Sequence, residues 1–215
     1  DFKNPRTFST SIGYDKEIFN HLAASIAYTY AATDNLTRFV NRNDAVFGQP
    51  WSSGLPAGNG VSTLTVVESS AKSRYQGVTF SLGRLADPDF QYQANYTLSV
   101  DKSDDDNERD PFSFRYARPN RLDREYNYSD RDQRHRLNLW ALYHFPFEVY
   151  ANTRFSFYSA QPTSEKCINN QPSGVRATAP GDRVCDPNGT KILLRNTIRR
   201  DNTFASWDIR VSRPF

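Results

Sequence analysis

The sequence predicts an all-β protein: an antiparallel up-and-down transmembrane β-barrel segment of about seven strands, with long extracellular loops and short periplasmic turns. Three observations lead to this fold class. Apolar and polar residues alternate with a period of two in many segments, which is the pattern of strands. Short and long connections alternate along the whole chain. No run of about 18 apolar residues exists, so a transmembrane helix is excluded, whereas membrane-spanning strands are not.

The first three strands are predicted at 8–14, 22–30 and 78–82. Successive side chains of a strand point to opposite faces, so an alternating segment presents one apolar and one polar face. The pattern is weaker in the first and third segments. The apolar positions of the second are Leu22, Ala24, Ile26, Tyr28 and Tyr30.

Four further strands are predicted at 90–101, 137–145, 149–158 and 205–215. The segment 90–101 alternates most strictly, because every odd position carries a polar residue. Its even positions are Phe90, Tyr92, Ala94, Tyr96, Leu98 and Val100. These seven segments account for the alternation of apolar and polar residues without helices, so we predict an all-β chain.

The connections distinguish a barrel from a soluble sandwich. Short links are predicted at 16–20, 86–89 and Pro146, and long ones at 34–72, 102–131 and 161–202. A sandwich also alternates its faces, but it has no reason to place every long loop at one end, as outer-membrane barrels do. We expect segments 61–69 and 191–197 to extend the hairpins beyond the bilayer.

The polar face of the predicted strands indicates a wide, hydrated lumen. Buried in a dry sandwich core, such side chains would each need a hydrogen-bond partner, whereas they cost little against water. Outward Tyr and Phe residues near the strand ends are typical of interfacial aromatic girdles. The predicted lumen-facing polar residues are Gln91, Gln93, Asn95, Asn138, Asn152, Arg154, Asp208 and Arg210.

Charge and composition exclude several other classes. The chain has 27 Lys plus Arg against 24 Asp plus Glu, a net charge of +3, which gives no support for nucleic-acid binding. Aromatic residues make up 14% of the chain, which argues against wholesale disorder.

Cys167 and Cys185 enclose 17 residues rich in Pro, Gly, Asn and Ser. We expect a disulfide that closes this loop, which requires an oxidising compartment. A metal pair is the weaker alternative, because neither a CxxC spacing nor a nearby His completes a zinc site. Two free thiols are the third possibility.

No other cluster predicts chemistry strongly. Asp104, Asp106 and Asp110 belong to an acidic run that offers oxygen ligands for calcium, but a solvated loop is favoured because the spacing does not match an EF-hand. The sequence lacks GxSxG, HExxH and P-loop motifs. We therefore expect neither an enzyme nor a bound cofactor.

The C-terminal half resembles the end of a TonB-dependent outer-membrane receptor, of the type with an N-terminal carboxypeptidase-regulatory-like domain. Two upstream stretches, 73–79 (SRYQGVT) and 94–99 (ANYTLS), resemble that family as well. The C-terminal stretches are 129–136 (SDRDQRHR), 145–147 (FPF), 159–162 (SAQP), 186–189 (DPNG), 195–197 (RNT) and 207–215 (WDIRVSRPF).

This resemblance implies a roughly 22-stranded barrel with an N-terminal plug and a TonB box. We accordingly expect residues 1–215 to be the C-terminal part of such a barrel, with the plug and the N-terminal strands absent. The expected function is energy-coupled uptake of a ligand across the bacterial outer membrane. The alternatives are a structural or adhesive barrel without transport, and a secreted β-sandwich binding module.

The expected partners follow from the same resemblance. They are outer-membrane lipid and lipopolysaccharide, the barrel-assembly machinery, and the TonB system through the missing N-terminal region. The residues resembling the barrel-assembly signal are Trp207, Ile209, Val211 and Phe215. Basic residues interleaved with tyrosines are candidates to contact lipopolysaccharide phosphates or a ligand at the cell surface, namely Arg118, Arg121, Arg124, Arg131, Arg134 and Arg136.

Overall fold

The computed structural model describes residues 2–41, 64–105, 116–178, 180–200 and 202–214. Two short 3-10 turns, Leu122–Arg124 and Pro180–Arg183, accompany the strands. The strands are β1 (Arg6–Phe19), β2 (Leu22–Asn41), β3 (Thr65–Arg84), β4 (Phe90–Ser103), β5 (Asn127–Tyr128), β6 (His135–Phe145), β7 (Val149–Tyr158), β8 (Pro162–Thr163), β9 (Glu165–Ile168), β10 (Gln171–Arg176), β11 (Ile198–Arg199) and β12 (Phe204–Ser212).

Seven long strands form one antiparallel sheet in chain order, β1-β2-β3-β4-β6-β7-β12, and β5 extends it beside the end of β4. Each of these seven strands pairs with the next of the seven along the chain, which is the up-and-down arrangement. The predicted all-β, antiparallel fold of about seven strands is confirmed. Two small antiparallel pairs, β9 with β10 and β8 with β11, lie in the last long connection.

The strand register gives the sheet two chemically different faces. One row across all seven strands, formed by directly paired residues, is Tyr14, Ile26, Phe80, Tyr96, Leu137, Phe157 and Ala205. The row next to it on the opposite face is Asp15, Ser25, Ser81, Asn95, Asn138, Ser156 and Ser206. We call these two sides the apolar face and the polar face.

The apolar face is uncovered. Ile12 is 74% exposed and Trp207 is 70% exposed, and other large apolar residues on this face are also exposed. A sandwich would cover such a face with a second sheet. The described strands provide no such sheet, so the sandwich alternative is not supported. The buried apolar residues instead gather at the long-loop end, where Val40, Ala71, Ala117 and Val184 lie.

Two predicted link boundaries are wrong. β1 continues to Phe19, so the first short link is the turn at Asn20 and His21 rather than 16–20. β2 continues to Asn41 and β3 begins at Thr65, so residues 34–41 and 65–72 of the predicted loop 34–72 are strand.

The cause of the second error is a bulge in β2. The register shifts between Thr33 and Leu36, and Asn35 has φ 60°, a left-handed conformation that Asn tolerates well. Past the bulge the even positions change side: Tyr28 belongs to the apolar face, whereas Arg38 and Val40 are buried at the loop end. The alternation that identifies a strand is therefore interrupted.

Of the two segments expected to extend hairpins, 61–69 and 191–197, only the first contains strand residues in the described part of the chain. Residues 65–69 belong to β3, whereas 61–63 lie outside the described residues. In 191–197 the structure has only a single bridge, between Val184 and Ile192, so the expected hairpin extension is wrong there. Within the described part of the chain, no helix is long and apolar enough to cross a membrane.

Candidate functional site

The polar face brings together all eight of the residues predicted to face a lumen. They occupy three adjacent rows that run across β4, β6, β7 and β12. Residues at directly paired positions share a face, so the rows are continuous. From the loop end downward the rows are Asn95 with Asn138, then Gln93, Trp140, Arg154 and Asp208, then Gln91, Leu142, Asn152 and Arg210.

Side-chain hydrogen bonds connect neighbouring residues of the polar face. Tyr158 and Ser156 both donate to the amide oxygen of Asn138, at 2.9 and 3.2 Å. The indole nitrogen of Trp140 donates to Gln93 Oε1 at 3.3 Å. These contacts fix the positions of polar side chains on the polar face, which water or other polar groups can approach.

A recess of about 360 Å³ lies in the polar face near the short turns. Its floor consists of small residues of β2 and β3, including Ala23, Ser25 and Gly83. Asp15 and Glu17 of β1 line one side. Alternation gave no sign of it, because the depression arises from small side chains at paired positions of neighbouring strands.

The long connections form a second structured region, the loop cap, which we define as residues 116–134, 159–178 and 180–200. It is held to the ends of the strands by polar contacts. Arg195 donates to the carbonyl of Ser103 at the end of β4, at 2.7 Å. Asn196 donates to the carbonyl of Tyr128 at 2.8 Å.

A buried ion pair lies at the centre of the loop cap. Glu125 is 0% exposed and accepts two hydrogen bonds from Nη2 of Arg183, at 2.7 and 2.6 Å. The backbone amide of Ala117 donates to the same carboxylate at 3.1 Å. A buried charge pair is stable only when its remaining hydrogen-bonding capacity is also used, and here it is.

A second ion pair joins the cap end of β2 to the end of β4. Arg38 contacts Asp104 at 2.8 Å, and both residues are buried. Asp104 also accepts from the backbone amide of Lys72 at 2.7 Å. Sequence reasoning missed Arg38, because it placed this residue in a loop.

Asp104 is thus engaged by protein groups rather than open to solvent. The other two calcium candidates, Asp106 and Asp110, lie outside the described residues. Among the residues that the structure describes, no group of three or more His, Cys, Asp or Glu could hold a metal ion.

Arg118 is not a surface residue, contrary to its predicted role at lipopolysaccharide phosphates. It is 5% exposed and packs over Gly189, where a Cβ atom would meet its guanidinium group at 2.5–2.8 Å. Gly189 has φ 66°, which also favours glycine. The half-exposed Arg121 and the exposed Arg124 contact Asp123 instead, at 3.1 and 3.5 Å.

The environment of Tyr116 suits a buried hydrogen-bond donor. Burial, together with the neighbouring Asp105 carboxylate, raises the pKa of Tyr116 far above its ordinary value. The phenol therefore stays protonated at physiological pH and donates to Asp105 at 2.9 Å.

In the turn at 186–189, hydrogen bonds from Thr190 and the amide of Lys191 lower the pKa of Asp186, whose carboxylate accepts these bonds and holds the turn.

Cys167 and Cys185 are joined by a disulfide, with their Cα atoms 5.2 Å apart. The bond ties β9 to the segment after the second 3-10 turn. Cys185 is buried two residues after Arg183, and its Sγ atom lies 4.0 Å from the carbonyl oxygen of Arg183. The disulfide and the Glu125–Arg183 pair therefore hold the same part of the loop cap.

Replacing both cysteines by serine is expected to destabilise the loop cap by about 3 kcal/mol, since a loop of this length gains roughly that much unfolded-state entropy without the crosslink. The measurement is the rate of proteolysis within 168–184, compared between the wild type and the double variant. Reductant should accelerate cleavage of the wild type and leave the variant unchanged. Equal rates in all four samples would show that the disulfide contributes nothing to the order of the cap.

The last strand presents the residues that resemble an assembly signal. Trp207, Ile209 and Val211 alternate on the exposed apolar face of β12. The indole nitrogen of Trp207 donates to Thr153 Oγ1 of β7 at 2.7 Å. Phe215 lies outside the described residues.

One antiparallel sheet with an uncovered apolar face, a continuous polar face, short turns at one end and a structured loop cap at the other is the construction of an outer-membrane β-barrel protein. A family model described as an outer membrane beta barrel domain matches residues 1–156. The chain belongs to the outer membrane beta barrel domain family, which indicates an outer-membrane location. No curated protein and no solved structure gives a significant match.

Proposed function

We propose that this domain is part of a TonB-dependent receptor that takes up a ligand across the bacterial outer membrane. The observation that carries the proposal is the polar face, whose row from Asp15 to Ser206 stays polar across seven neighbouring strands. Such a wall is unfavourable against a dry protein core and favourable around a wide, hydrated lumen. The sequence stretches that resemble TonB-dependent receptors support the same conclusion.

A lumen of that width needs more strands than these seven. β1 and β12 are the edges of the described sheet. Unpaired backbone groups of an edge strand are costly in lipid, where no water can satisfy them. We therefore propose that further strands of the same barrel pair with both edges, and that the barrel-assembly machinery reads Trp207, Ile209 and Val211 on β12.

The test measures accumulation of a panel of labelled nutrient ligands by cells with and without the polypeptide that carries this domain. The proposal expects at least one ligand to accumulate only when the polypeptide, TonB and the proton gradient are all present. Accumulation that is independent of TonB for every ligand, or no difference between the two strains, would contradict it.

A structural or adhesive barrel is the second candidate, favoured by one observation. The loop cap is ordered by the Glu125–Arg183 pair and by the disulfide, so it offers a rigid external surface. In the same experiment, this candidate expects binding of a partner at the cell surface without uptake. Both candidates assign the chain a binding role and no catalytic one.

A further inference from the structure

A pocket of about 300 Å³ is lined by residues of both small antiparallel pairs of the loop cap. Strands β8, β10 and β11 contribute to it, together with the segment that leads from β11 to β12. Its volume lies at the lower end of the range that small-molecule sites occupy, which is about 300–1,000 Å³. The residues that line the pocket include Thr163, Val175, Arg176, Ile198, Arg200 and Asn202.

Two arginines of this pocket are not used by the protein. Arg176 and Arg200 are exposed, and neither side chain forms a hydrogen bond or an ion pair with the part of the chain that the structure describes. By contrast, Arg183, Arg195 and Arg199 of the same loop cap donate to carboxylate or carbonyl oxygens of the protein. The donors of Arg176 and Arg200 therefore remain available to an anion from outside.

The lining of the pocket is positively charged. Its described lining residues include no acidic side chain, so the two guanidinium groups are their only formal charges. Glu165 is directly paired with Arg176 across β9 and β10. Its carboxylate accepts from the backbone amide of Gly174 at 2.8 Å and forms no ion pair with Arg176. Glu165 thus offsets part of the charge of Arg176 but leaves the donors of its guanidinium group without an acceptor.

The other lining residues suit an organic molecule better than a bare ion. Val175 is 50% exposed and Ile198 is half-buried, so both can pack against carbon atoms of a ligand. Thr163 is directly paired with Ile198, so their side chains share one face of the small sheet. The Thr163 hydroxyl and the Asn202 amide can each donate or accept a further hydrogen bond. Apolar surface with a few polar groups is typical of small-molecule sites.

We propose that this pocket binds a small organic anion, whose carboxylate or phosphate-monoester group is held by Arg176 and Arg200. A guanidinium group presents its donors in a planar fork that matches the oxygens of either group, and the pairing is charge-assisted. The carbon skeleton of the anion packs against Val175 and Ile198. This inference rests on the proposed function only for the location of the pocket on the external side of the outer membrane.

The test is isothermal titration calorimetry on the complete polypeptide that carries this domain, purified in neutral detergent. The probes are glutarate, which is a dicarboxylate, and glycerol 3-phosphate, which is a phosphate monoester. Their neutral counterparts are glutaramide and glycerol. We expect at least one of the two anions to bind at millimolar or lower concentration, and its neutral counterpart not to bind. The anion that binds more tightly identifies the group that the pocket holds.

Arg176→Gln and Arg200→Gln are each expected to weaken binding of that anion about tenfold, and the double variant about 100-fold, because each change removes one charge-assisted pair. Neither side chain holds another part of the described structure, so the circular dichroism spectrum should stay unchanged. Arg124→Gln is the matched control, because it removes an exposed arginine of the loop cap that does not line the pocket. It should bind the anion like the wild type.

Three results would overturn the proposal. The first is that neither anion binds, or that a neutral counterpart binds equally well. The second is wild-type affinity in the double variant, or an equal loss in Arg124→Gln. The third is that inorganic phosphate or sulfate binds as tightly as the organic anion, which would identify a site for an adventitious ion only. The titration needs neither TonB nor a membrane, so its failure would leave the uptake proposal standing, and failure of uptake would leave this site standing.

Discussion

Replacing Glu125 by alanine is expected to destabilise the loop cap by about 3–5 kcal/mol, because Arg183 would remain buried without its counter-charge. The carboxylate of Glu125 accepts three hydrogen bonds of 3.1 Å or less, two from Nη2 of Arg183 and one from the amide of Ala117, and both partners of the pair are buried. The backbone amide of Ala117 would lose its acceptor as well. The expected result is faster hydrogen exchange throughout residues 116–134 and 180–200, while exchange in the strands of the sheet stays slow.

Asp123→Ala is the matched control for this variant. Asp123 lies two residues away, also contacts arginines, and is exposed, and exposed pairs contribute only about 0.2–1 kcal/mol. A further variant, Glu125→Leu with Arg183→Leu, should recover much of the lost stability, because it removes both charges together. If Glu125→Ala exchanges no faster than Asp123→Ala, the pair does not organise the cap.

Replacing Phe80 by arginine is expected to prevent or severely weaken assembly into the outer membrane. Phe80 lies in the row between Tyr14 and Ala205, near the middle of the apolar face. An arginine on the lipid side of a barrel costs about 2–4 kcal/mol at the bilayer midplane, and the lost transfer of the aromatic ring adds about 1–2 kcal/mol. The measurement is the amount of folded polypeptide in outer-membrane fractions.

Ser81→Arg provides the comparison at the neighbouring position. Ser81 belongs to the polar face and pairs with Ser25 and Asn95, so an arginine there meets polar groups and water. We expect near-normal amounts of this variant in the membrane. Equal amounts of the two variants, or a larger loss for Ser81→Arg, would mean that the apolar face does not contact lipid.

Alternation was sufficient to predict the sheet, because a strand with one face in lipid and one in water must alternate. The segment 90–101 is the plainest case, since all its side chains follow a single pattern. Where a bulge breaks the period the prediction fails. Asn35 shifts the side on which Arg38 and Val40 lie, and nothing in the local sequence distinguishes this from the start of a loop.

The loop cap was beyond prediction for a different reason. Glu125 and Arg183 are separated by 58 residues, and no periodicity relates residues of two irregular segments. Charged side chains in such segments are most often solvated, which is why Arg118 was assigned to the surface. Only the fold brings Gly189 under its guanidinium group and removes it from solvent.

The polar face stands between these extremes. The eight residues predicted to face a lumen follow from alternation alone, since each strand indicates which of its side chains share a face. Their arrangement in three rows depends on the register between strands, which the turns set. The row that joins Gln93, Arg154 and Asp208 through Trp140 is therefore a property of the structure rather than of any one segment.

The central claim is that this sheet crosses the outer membrane with its apolar face in lipid. The most direct test places a spin label at each position from 90 to 101 in membranes and measures collision with oxygen and with a water-soluble nickel complex. The native cysteines are joined in a disulfide and stay unlabelled. We predict a period of two, with oxygen favoured at Phe90, Tyr92, Ala94, Tyr96, Leu98 and Val100 and nickel favoured at the positions between them. Access of the nickel complex to every position, or a reversed period, would contradict the account.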